Sequence, residues 1–366
     1  MVNENKMVRQ SKYDYVISVP LITSLLLLVF VPVLFGYNAA NVLNKYYSLI
    51  VVLAMFLLLL AKDVKVKTID WVVIALSMFS SLISKNLSLM APAILIMLMI
   101  CFDNLKCDRL LRSYFVIYLL FMLVIVGKYY LFNNGANDVQ MWRIDKIITR
   151  KSLGFAHPNV FMVEYVGMCF SLLLIQKKNK IIYILLMVVT SLLFYLTQSR
   201  TEFYVLMAAL LAMLFLNKRL DNSISKSAKS ILVLSPLFLL LISSLLIVYS
   251  NNQFLNLHLS GRPVLYRQFF DSSGITLFGN PSLENDMFDN GYLQMFLSKG
   301  LITFIGYFLA MWRLISTHKV NLRVFIILMA LYLCAVTETV LFKFELILPL
   351  IIYLSESSKN EYPIRR

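Results

Sequence analysis

Long apolar runs alternate with short polar connectors from Tyr15 to Leu354. Each run has about 15 to 22 residues and is apolar on every side, so it can cross a hydrocarbon core about 30 Å thick as a helix. The strands of a membrane barrel would instead alternate apolar and polar residues over about ten positions. The pattern therefore predicts an all-α polytopic membrane protein with about twelve transmembrane helices.

The predicted spans, in chain order, are 15–35, 46–61, 69–84, 87–102, 114–132, 158–175, 181–197, 202–216, 231–249, 300–315, 324–336 and 340–354. No repeat, low-complexity tract or shift in composition divides the chain, so we treat 1–366 as a single integral membrane domain. Its two long polar segments are 133–157 and 251–299, and the second is the large loop of the protein. The first span lacks a small-residue cleavage pattern and is expected to stay in place.

Composition supports this class. Hydrophobic residues make up 60% of the 366 residues and charged residues only 14%, which excludes an ordinary soluble domain. The net charge of +15 does not point to nucleic acid, because Lys and Arg lie mainly in short connectors. The four cysteines form no CxxC pair, so neither a disulfide framework nor a zinc site is indicated.

The positions of the basic residues predict an orientation. With the N-terminus in the cytoplasm, about 22 of the 34 basic residues fall on the cytoplasmic side, so both termini are predicted to lie there. Most of the others crowd into 128–151, Arg200 and 262–299, on the outer side. Cations on the side that topology disfavours need another reason to be there.

The segment 150–159, RKSLGFAHPN, leads directly into an apolar run. Pro158 suits the first turn of a helix, which puts His157 at its N-terminal end beside unpaired backbone N–H groups. With Arg150 and Lys151 alongside, this end is a candidate anion site that also includes Asn159. His157 is a candidate proton acceptor because imidazole titrates near neutral pH. The alternative is that His157 only caps the helix and the basic pair contacts lipid phosphate.

The segment 197–202, TQSRTE, ends one apolar run and begins the next. Arg200 and Glu202 then lie at the outer membrane boundary, where ionised groups are costly unless they face a wet cavity or one another. The planar guanidinium of Arg200 suits bidentate phosphate binding, and Glu202 belongs to the same candidate site. The alternative is a plain turn with a local Arg200–Glu202 pair and Ser199 or Thr201 as the helix cap.

The segment 260–300 is the largest polar interruption of the chain. Gly261 and Pro263 bracket Arg262, which predicts a turn and then a short helix that carries Arg267 one turn later. Two guanidiniums at this spacing are candidates to straddle a diphosphate.

Other residues of this loop are candidates for chemistry or substrate contact. His258 is a second candidate for acid–base chemistry, although a lone loop histidine is more often merely solvated. Asp289 is a candidate base or sugar ligand, or else only a helix N-cap. The remaining candidates for substrate contact are Tyr266, Asn290 and Tyr292. We expect Phe269–Phe270 to seat the loop on the bilayer rather than stack on sugars.

Three charged residues interrupt the last two predicted spans. Glu338 and Lys343 are expected near the outer rim, whereas the spacing of Lys343 and Glu345 does not place them on one helix face. Ionisable groups inside a membrane default to a functional hypothesis, and plain structural pairing is the alternative.

No GxGxxG, P-loop, HExxH or GxSxG signature occurs, so nucleotide binding, zinc proteolysis and hydrolase chemistry have no support. Four segments do resemble a known family: GFAHPN, TQSRTE, SGR followed by LFG, and DNGYLQMFLSKGLI. In this order they resemble the polysaccharide repeat-unit polymerases and O-antigen ligases, and most of all the Wzy-type polymerases. The likeness spans 157–301 in motifs and the whole chain in helix number and loop placement.

The resemblance implies a fold related to membrane glycosyltransferases of the GT-C type. It also implies a metal-independent glycosyltransferase that joins undecaprenyl-diphosphate-linked oligosaccharide repeat units into capsular polysaccharide or exopolysaccharide. The reaction would take place on the outer face of the bacterial cytoplasmic membrane. No cofactor is implied, because fixed guanidiniums can stabilise the leaving diphosphate.

By the same resemblance, the diphosphate-binding arginines of the family match Arg200 and Arg262, and Arg267 is added on charge grounds. His157 becomes the leading base or substrate-orienting residue. The related ligases draw an essential histidine from the large late loop, where His258 is available.

The implied partners are a lipid-linked oligosaccharide donor and acceptor, membrane lipids, a chain-length regulator and a flippase, with no nucleic acid. One alternative is a ligase that transfers a finished glycan to another acceptor. Another is a flippase or transporter for lipid-linked oligosaccharide, for which we would expect internal symmetry and charges at mid-membrane positions. Neither feature is clear in the sequence.

Overall fold

The computed structural model describes residues 2–35, 51–55, 66–103, 107–133, 135–143, 146–176, 178–283, 286 and 288–357. Most of the predicted span 46–61 lies outside these residues, although 51–55 is helical. Helices dominate the described chain, as the apolar runs predict.

In chain order the helices are α1 (Val2–Phe35), α2 (Thr68–Ser84), α3 (Ala91–Phe102), α4 (Cys107–Lys128), α5 (Pro158–Ile175), α6 (Lys180–Thr197), α7 (Arg200–Phe215) and α8 (Lys226–Val248). They continue with α9 (Gln253–His258), α10 (Arg262–Ser273), α11 (Gly291–Leu293), α12 (Leu301–Thr317), α13 (Leu322–Cys334) and α14 (Phe344–Ser357). Turns of 3-10 helix occur at Leu87–Met90, Asn217–Arg219 and Pro281–Leu283, and π turns at Tyr129–Asn133 and Gln294–Ser298. One antiparallel hairpin pairs β1 (Val139–Arg143) with β2 (Lys146–Arg150) in the register Val139 to Arg150.

Five segments among the described residues are long and apolar enough to cross a membrane: Ser18–Phe35, Asp108–Phe132, Pro158–Ile175, Lys180–Thr197 and Lys226–Val248. Five shorter apolar helices accompany them: Thr68–Ser84, Leu87–Phe102, Leu301–Thr317, Leu322–Cys334 and Phe344–Ser355. An all-α protein with several membrane-length helices is therefore confirmed. The full count of about twelve spans stays a prediction.

Helix α5 is the centre of the bundle. Its window of 18 residues is 72% buried, against 22% for α6, because α4, α6, α7, α13 and α14 all pack against α5. Gly167 allows the closest of these approaches, since a Cβ there would lie 2.4 Å from Leu346 Cδ2. The all-round apolar surface of α5 is thus buried by protein, whereas the outer helices keep apolar faces exposed.

One end of the bundle is held by a buried arginine. Arg323, at the start of α13, donates to the carbonyl oxygens of Leu173 (2.6 Å) and Gln176 at the end of α5. It also pairs with Asp221 at 3.0 Å. These bonds satisfy carbonyl groups that the last turn of a helix leaves unpaired. The N-terminus of α5 therefore lies at the opposite end, with the α6–α7 turn and the α13–α14 connection.

Both long polar segments are structured where they are described. Within 133–157 the β1–β2 hairpin leads to Lys151, whose N–H donates to Leu196 O at 2.9 Å. Within 251–299 the chain forms α9 and α10 and is then tied to the start of α12 by backbone bonds from Asn280 N to Ser298 O (2.8 Å) and from Leu301 N to Thr276 O (2.9 Å).

Candidate functional site

The candidate site begins at the N-terminus of α5. His157 is the N-cap and Pro158 the first helical residue, which confirms the predicted helix start. His157 Nδ1 accepts the backbone N–H of Asn159 at 3.2 Å. Burial, and then the charge of Arg150, lowers the pKa of the imidazole. A neutral ring that accepts at Nδ1 carries its proton on Nε2, so this geometry favours a hydrogen-bond donor over a base.

Asn159 is the hub of the site. Its Oδ1 accepts from Arg150 Nη2 and from Ser199 Oγ (2.7 Å), while its Nδ2 donates to Glu338 Oε1 at 2.7 Å. Arg150 is buried and also donates from Nε to Thr197 O at 2.8 Å. The side chain thus joins α5, the hairpin, the α6–α7 turn and the α13–α14 connection in one network. Asn159 was expected to contact substrate, and its described bonds are to protein.

Two buried carboxyl groups meet beside this hub. Glu202 on α7 is 1% exposed and Glu338 on the α13–α14 connection is 9% exposed. Their side chains lie within hydrogen-bonding reach of each other. Ser199 lies next to Glu202 but gives its hydroxyl hydrogen to Asn159. No donor among the described residues makes a well-formed hydrogen bond to either carboxylate oxygen of Glu202.

The environment of Glu338 disfavours its charged form. Burial, then the charge of Glu202, then that of Asp289 raise the pKa of Glu338 well above its ordinary range. Two carboxylates in contact disfavour each other's ionisation. The sequence predicts Glu338 near the outer rim and gives no sign that it lies beside Glu202.

The connection that carries Glu338 is fixed on two sides. Thr337 Oγ1 donates to Thr201 Oγ1 on α7 at 2.7 Å. Gly291 N donates to Ala335 O at 2.8 Å, and Asn290 Nδ2 donates to Val336 O at 2.8 Å. The position of the carboxyl pair is therefore set by the large loop as well as by α7.

Hydrogen bonds place this connection level with the first turns of α5 and α7. Glu338 bonds to Asn159, the second residue of α5, and Thr337 bonds to Thr201, the second residue of α7. Helices α13 and α14 have 13 and 14 residues and are about 20 Å long, against about 27 Å for α5.

Helix α10 brings a cation to the site. It begins at Arg262 with Pro263 in its first turn, as predicted. Arg262 donates from Nε and Nη2 to Asp289 Oδ2 at 3.3 and 3.1 Å, and both side chains stay about one-quarter exposed. The charge of Asp289 also acts on His157, and that of Glu338 acts on Arg262. A partly exposed guanidinium thus lies beside the carboxyl pair.

Two predicted cations lie differently from the expected arrangement. Arg267 is half-exposed further along α10, where it pairs with Asp271 at 2.9 Å and lies over the Phe270 ring. Arg262 and Arg267 pair with different carboxylates and do not form the two-cation diphosphate site that their spacing predicts. Arg200 is exposed at the first residue of α7, and no ion pair with Glu202 is found among the described residues. The local Arg200–Glu202 pair that was weighed as an alternative is absent there.

Several loop residues are structural rather than open to substrate. Tyr266 is 1% exposed and donates its hydroxyl hydrogen to Asp289 O at 3.0 Å. Tyr292 is 0% exposed and donates to Tyr332 O at 3.0 Å. Both rings are buried and bonded to protein in this structure, whereas the sequence makes them candidates for substrate contact. Phe269, expected at the bilayer, instead packs on Phe288 with ring centroids 4.4 Å apart.

Asn290, rather than Asp289, is the helix N-cap in this part of the loop. Asn290 is 0% exposed and is the N-cap of α11, accepting from Leu293 N at 2.9 Å. Its amide also donates to Ser243 Oγ at 3.0 Å. Asp289 is therefore not the cap; it takes a left-handed backbone with φ of 47° and presents its carboxylate to Arg262.

His258 stands apart from the hub. It is exposed at the last residue of α9, its Nδ1 lies 2.8 Å from Phe254 O, and its ring stacks on Phe254 at 4.1 Å. These contacts are all within its own short helix. This matches the merely solvated alternative better than an acid–base role.

A second charged cluster lies deeper in the bundle. Lys343 pairs with Glu164 of α5 and lies 3.7 Å from Glu345, and Tyr118 of α4 donates its hydroxyl hydrogen to Glu164. Lys343 and Glu345 thus share one cluster, contrary to the expectation from helix spacing, because Lys343 precedes α14. The cluster anchors the lower end of the same α13–α14 connection that carries Glu338.

No group of three or more His, Cys, Asp or Glu side chains with metal-binding geometry occurs in the described ranges. The chemistry available at this end of the bundle is that of two guanidiniums, one imidazole N–H donor and one buried carboxyl pair.

Comparison of the chain with family models, curated proteins and solved structures finds no match.

Proposed function

We propose that the chain is a Wzy-type polymerase of lipid-linked oligosaccharide repeat units. In this proposal about twelve helices span the bacterial cytoplasmic membrane, both termini are cytoplasmic, and the fold is of the GT-C kind. The enzyme moves a growing glycan from its undecaprenyl diphosphate to a hydroxyl of an incoming lipid-linked unit. The product is capsular polysaccharide or exopolysaccharide.

One observation carries the proposal: Arg150, His157 and Arg262 converge with buried carboxyl groups at one end of the helix bundle. A reaction that releases a diphosphate at a membrane boundary needs fixed cations there, and a partly dry pocket strengthens their effect. The same reaction needs a group that accepts the proton of the attacking hydroxyl. Both kinds of group lie in this cluster.

In the proposed reaction Arg262 keeps its bonds to Asp289 and binds the diphosphate through the remaining N–H groups of its planar guanidinium. Arg200, exposed at the start of α7, supplies a second cation. The Nε2–H of His157 donates to a phosphate oxygen or to the sugar. Arg150 stays bonded to Asn159 and contributes its charge rather than direct contact. Fixed guanidiniums take the place of a metal ion in stabilising the leaving group.

An apolar cleft near the site suits the prenyl chain. It has a volume of about 250 Å³. Its lining residues are Leu25, Leu28, Val29, Val51, Val52, Met55, Ile94 and Phe344. Phe344, the first residue of α14, directly follows Lys343, so in this proposal a lipid tail in the cleft lies beside the helix that follows the α13–α14 connection.

The test uses purified full-length protein in lipid vesicles with a synthetic undecaprenyl-diphosphate-linked repeat unit. Wild type is expected to form a ladder of longer glycans without added metal. Arg262→Ala is expected to reduce extension at least about 100-fold, the usual effect of losing one preorganised charge-stabilising group. Arg267→Ala is the matched control on the same helix; its exposed side chain lies outside the proposed machinery, and extension should stay near the wild-type rate.

Accumulation of single repeat units on lipid in cells that carry Arg262→Ala would support the same conclusion. Polymer of normal length from this variant would refute the assignment of Arg262. Failure of wild type to extend any lipid-linked repeat unit would refute the polymerase, and loss of product on adding a chelator would refute the metal-independent reaction.

A further inference from the structure

We propose that Glu202 and Glu338 share one proton and that the ionised member of the pair accepts the proton of the attacking acceptor hydroxyl. This inference rests on the proposed glycosyl transfer and names its base. Neither glutamate was expected to act in this way, since Glu202 was a candidate substrate ligand and Glu338 a membrane-boundary charge.

Geometry separates this pair from the other candidate bases. His157 uses Nδ1 to accept the Asn159 N–H, so its remaining nitrogen carries a proton and donates. Asp289 Oδ2 accepts two N–H groups of Arg262, at 3.3 and 3.1 Å, so this carboxylate is committed to a guanidinium. The Glu202–Glu338 pair is the remaining carboxyl group in the hub, and Asn159 orients it through the 2.7 Å bond to Glu338.

Burial gives the pair the property that a base requires. Glu202 is 1% exposed, and no donor among the described residues makes a well-formed bond to its carboxylate oxygens, so burial disfavours its charged form and the charge of Arg150 only partly offsets this. Sharing a proton with Glu338 removes that cost while leaving one negative charge on the pair. A carboxylate in this setting binds protons more tightly than one in water, which brings it closer to the working pH of a general base.

The charged groups that face the pair come from every neighbouring element. Arg150 from β2 acts on Glu202, while Arg262 from α10 and Asp289 before α11 act on Glu338. The two cations favour the ionised form of the pair and Asp289 opposes it. These opposing effects allow the pair both to lose and to gain a proton during the reaction.

The step balances in atoms and charge. The acceptor hydroxyl oxygen forms a bond to the anomeric carbon of the donor glycan as the bond from that carbon to the diphosphate oxygen breaks. The hydroxyl proton moves to the ionised carboxylate, and the bonding electrons leave with the diphosphate, which Arg262 stabilises. The pair is then doubly protonated and releases one proton to water before the next transfer.

Conservative substitutions test the pair in the vesicle assay described above. Glu338→Gln keeps the shape of the side chain and can still bond to Asn159 and Glu202, but it cannot accept the proton. Extension should fall at least about 100-fold, as expected for loss of a general base. Glu202→Gln should also slow extension, because the remaining carboxyl no longer shares a proton. Glu338→Asp should retain more extension than Glu338→Gln.

Binding of the lipid-linked donor, measured with a fluorescent repeat unit, should be unchanged in Glu338→Gln. Asp271→Asn, which removes an exposed carboxylate on the same face, is the control and should extend normally. Unchanged extension by Glu338→Gln would overturn the inference and leave the polymerase standing. Loss of donor binding together with extension would also overturn it, because the role would then be structural.

A second measurement does not depend on enzyme activity. Infrared spectra of the wild type at neutral pH should contain the carbonyl band of a buried protonated carboxyl group, and both Gln variants should lose it. Absence of this band in the wild type would overturn the shared proton whether or not the protein polymerises. Presence of the band with no polymer formation would refute the proposed function alone.

Discussion

A histidine that caps a helix commits one ring nitrogen to that helix. His157 Nδ1 accepts the Asn159 N–H, and burial together with the charge of Arg150 lowers the pKa of the ring. Protonation would turn Nδ1 into a donor and break the cap. The residue therefore senses pH through the start of α5, and its Nε2–H is the group available to a ligand.

This arrangement predicts a pH-dependent stability. A depressed pKa means that the folded state binds the proton more weakly than the unfolded state, so stability present above about pH 6.5 is lost as the pH falls toward the folded pKa. His157→Asn retains a capping acceptor that does not titrate. Thermal unfolding in detergent at about pH 7.5 and about pH 5.5 should show that wild type loses more stability than the variant.

His258 and His318 occur in both proteins, so their titration cancels from the comparison. Equal losses of stability in wild type and His157→Asn would contradict the capping tautomer assigned to His157.

At the scale of elements, backbone contact positions the large loop. Gly279 lies at φ of 82°, and a Cβ there would be 2.3 Å from Ser298 O. Gly300 faces it, with a Cβ position 2.2 Å from Gly279 N. Two glycines thus let the loop lie directly against the start of α12. This contact closes the segment 279–300. The segment includes the 290–291 turn, which is bonded to the α13–α14 connection that carries Glu338.

Replacement of Gly279 should therefore cost more than replacement of a glycine with open space around it. Gly261 has a similar φ of 79°, but a Cβ there meets nothing within 4 Å. Gly261→Ala bears only the backbone strain, about 1 kcal/mol. Gly279→Ala bears the same strain plus a steric clash, about 1–3 kcal/mol more. Unfolding by denaturing detergent should rank the two variants in this order, and equal stabilities would refute the close contact.

At the scale of the whole molecule, the charged groups divide between two ends. One end is held by ion pairs among Lys178, Asp221 and Arg323. The network around Asn159 lies at the other end. The positive-inside rule assigns the first end to the cytoplasm. The proposed reaction requires the hub to face outward. The charge distribution and the proposed chemistry therefore predict the same orientation.

Cysteine labelling checks this orientation. The four native cysteines are replaced by alanine, and single cysteines are introduced at the exposed positions Asn251 and Asn222, which lie at opposite ends of α8 and its preceding turn. A membrane-impermeant maleimide should label Asn251→Cys in intact cells and Asn222→Cys only after permeabilisation. The reverse result would place the hub in the cytoplasm and refute the outward-facing site.

Much of this architecture follows from local sequence signals. The start of α5 at Pro158 and of α10 at Arg262 follows from proline and capping residues, which act within one turn of a helix. Two expected roles fail for a common reason. Tyr266 and Tyr292 are polar-tipped aromatics in a loop, yet both are buried, and burial depends on what the fold lays over them.

The carboxyl pair shows most directly what sequence patterns cannot predict. Glu202 and Glu338 are 136 residues apart in sequence, and no spacing rule connects positions at that separation. A signal did exist, since each is an acidic residue at the edge of an apolar run. That signal identifies two costly charges but cannot show that they meet.

The sequence by itself determined the class of protein, the placement of its apolar helices and the two helix starts at the candidate site. Hydrophobicity and capping are local properties, and each acts over a few residues. Only the tertiary structure decided that Asn159 joins Arg150 to Glu338, that Lys343 pairs with Glu164, and that Glu202 and Glu338 meet. Such contacts depend on which helices pack together, and packing is a property of the whole chain.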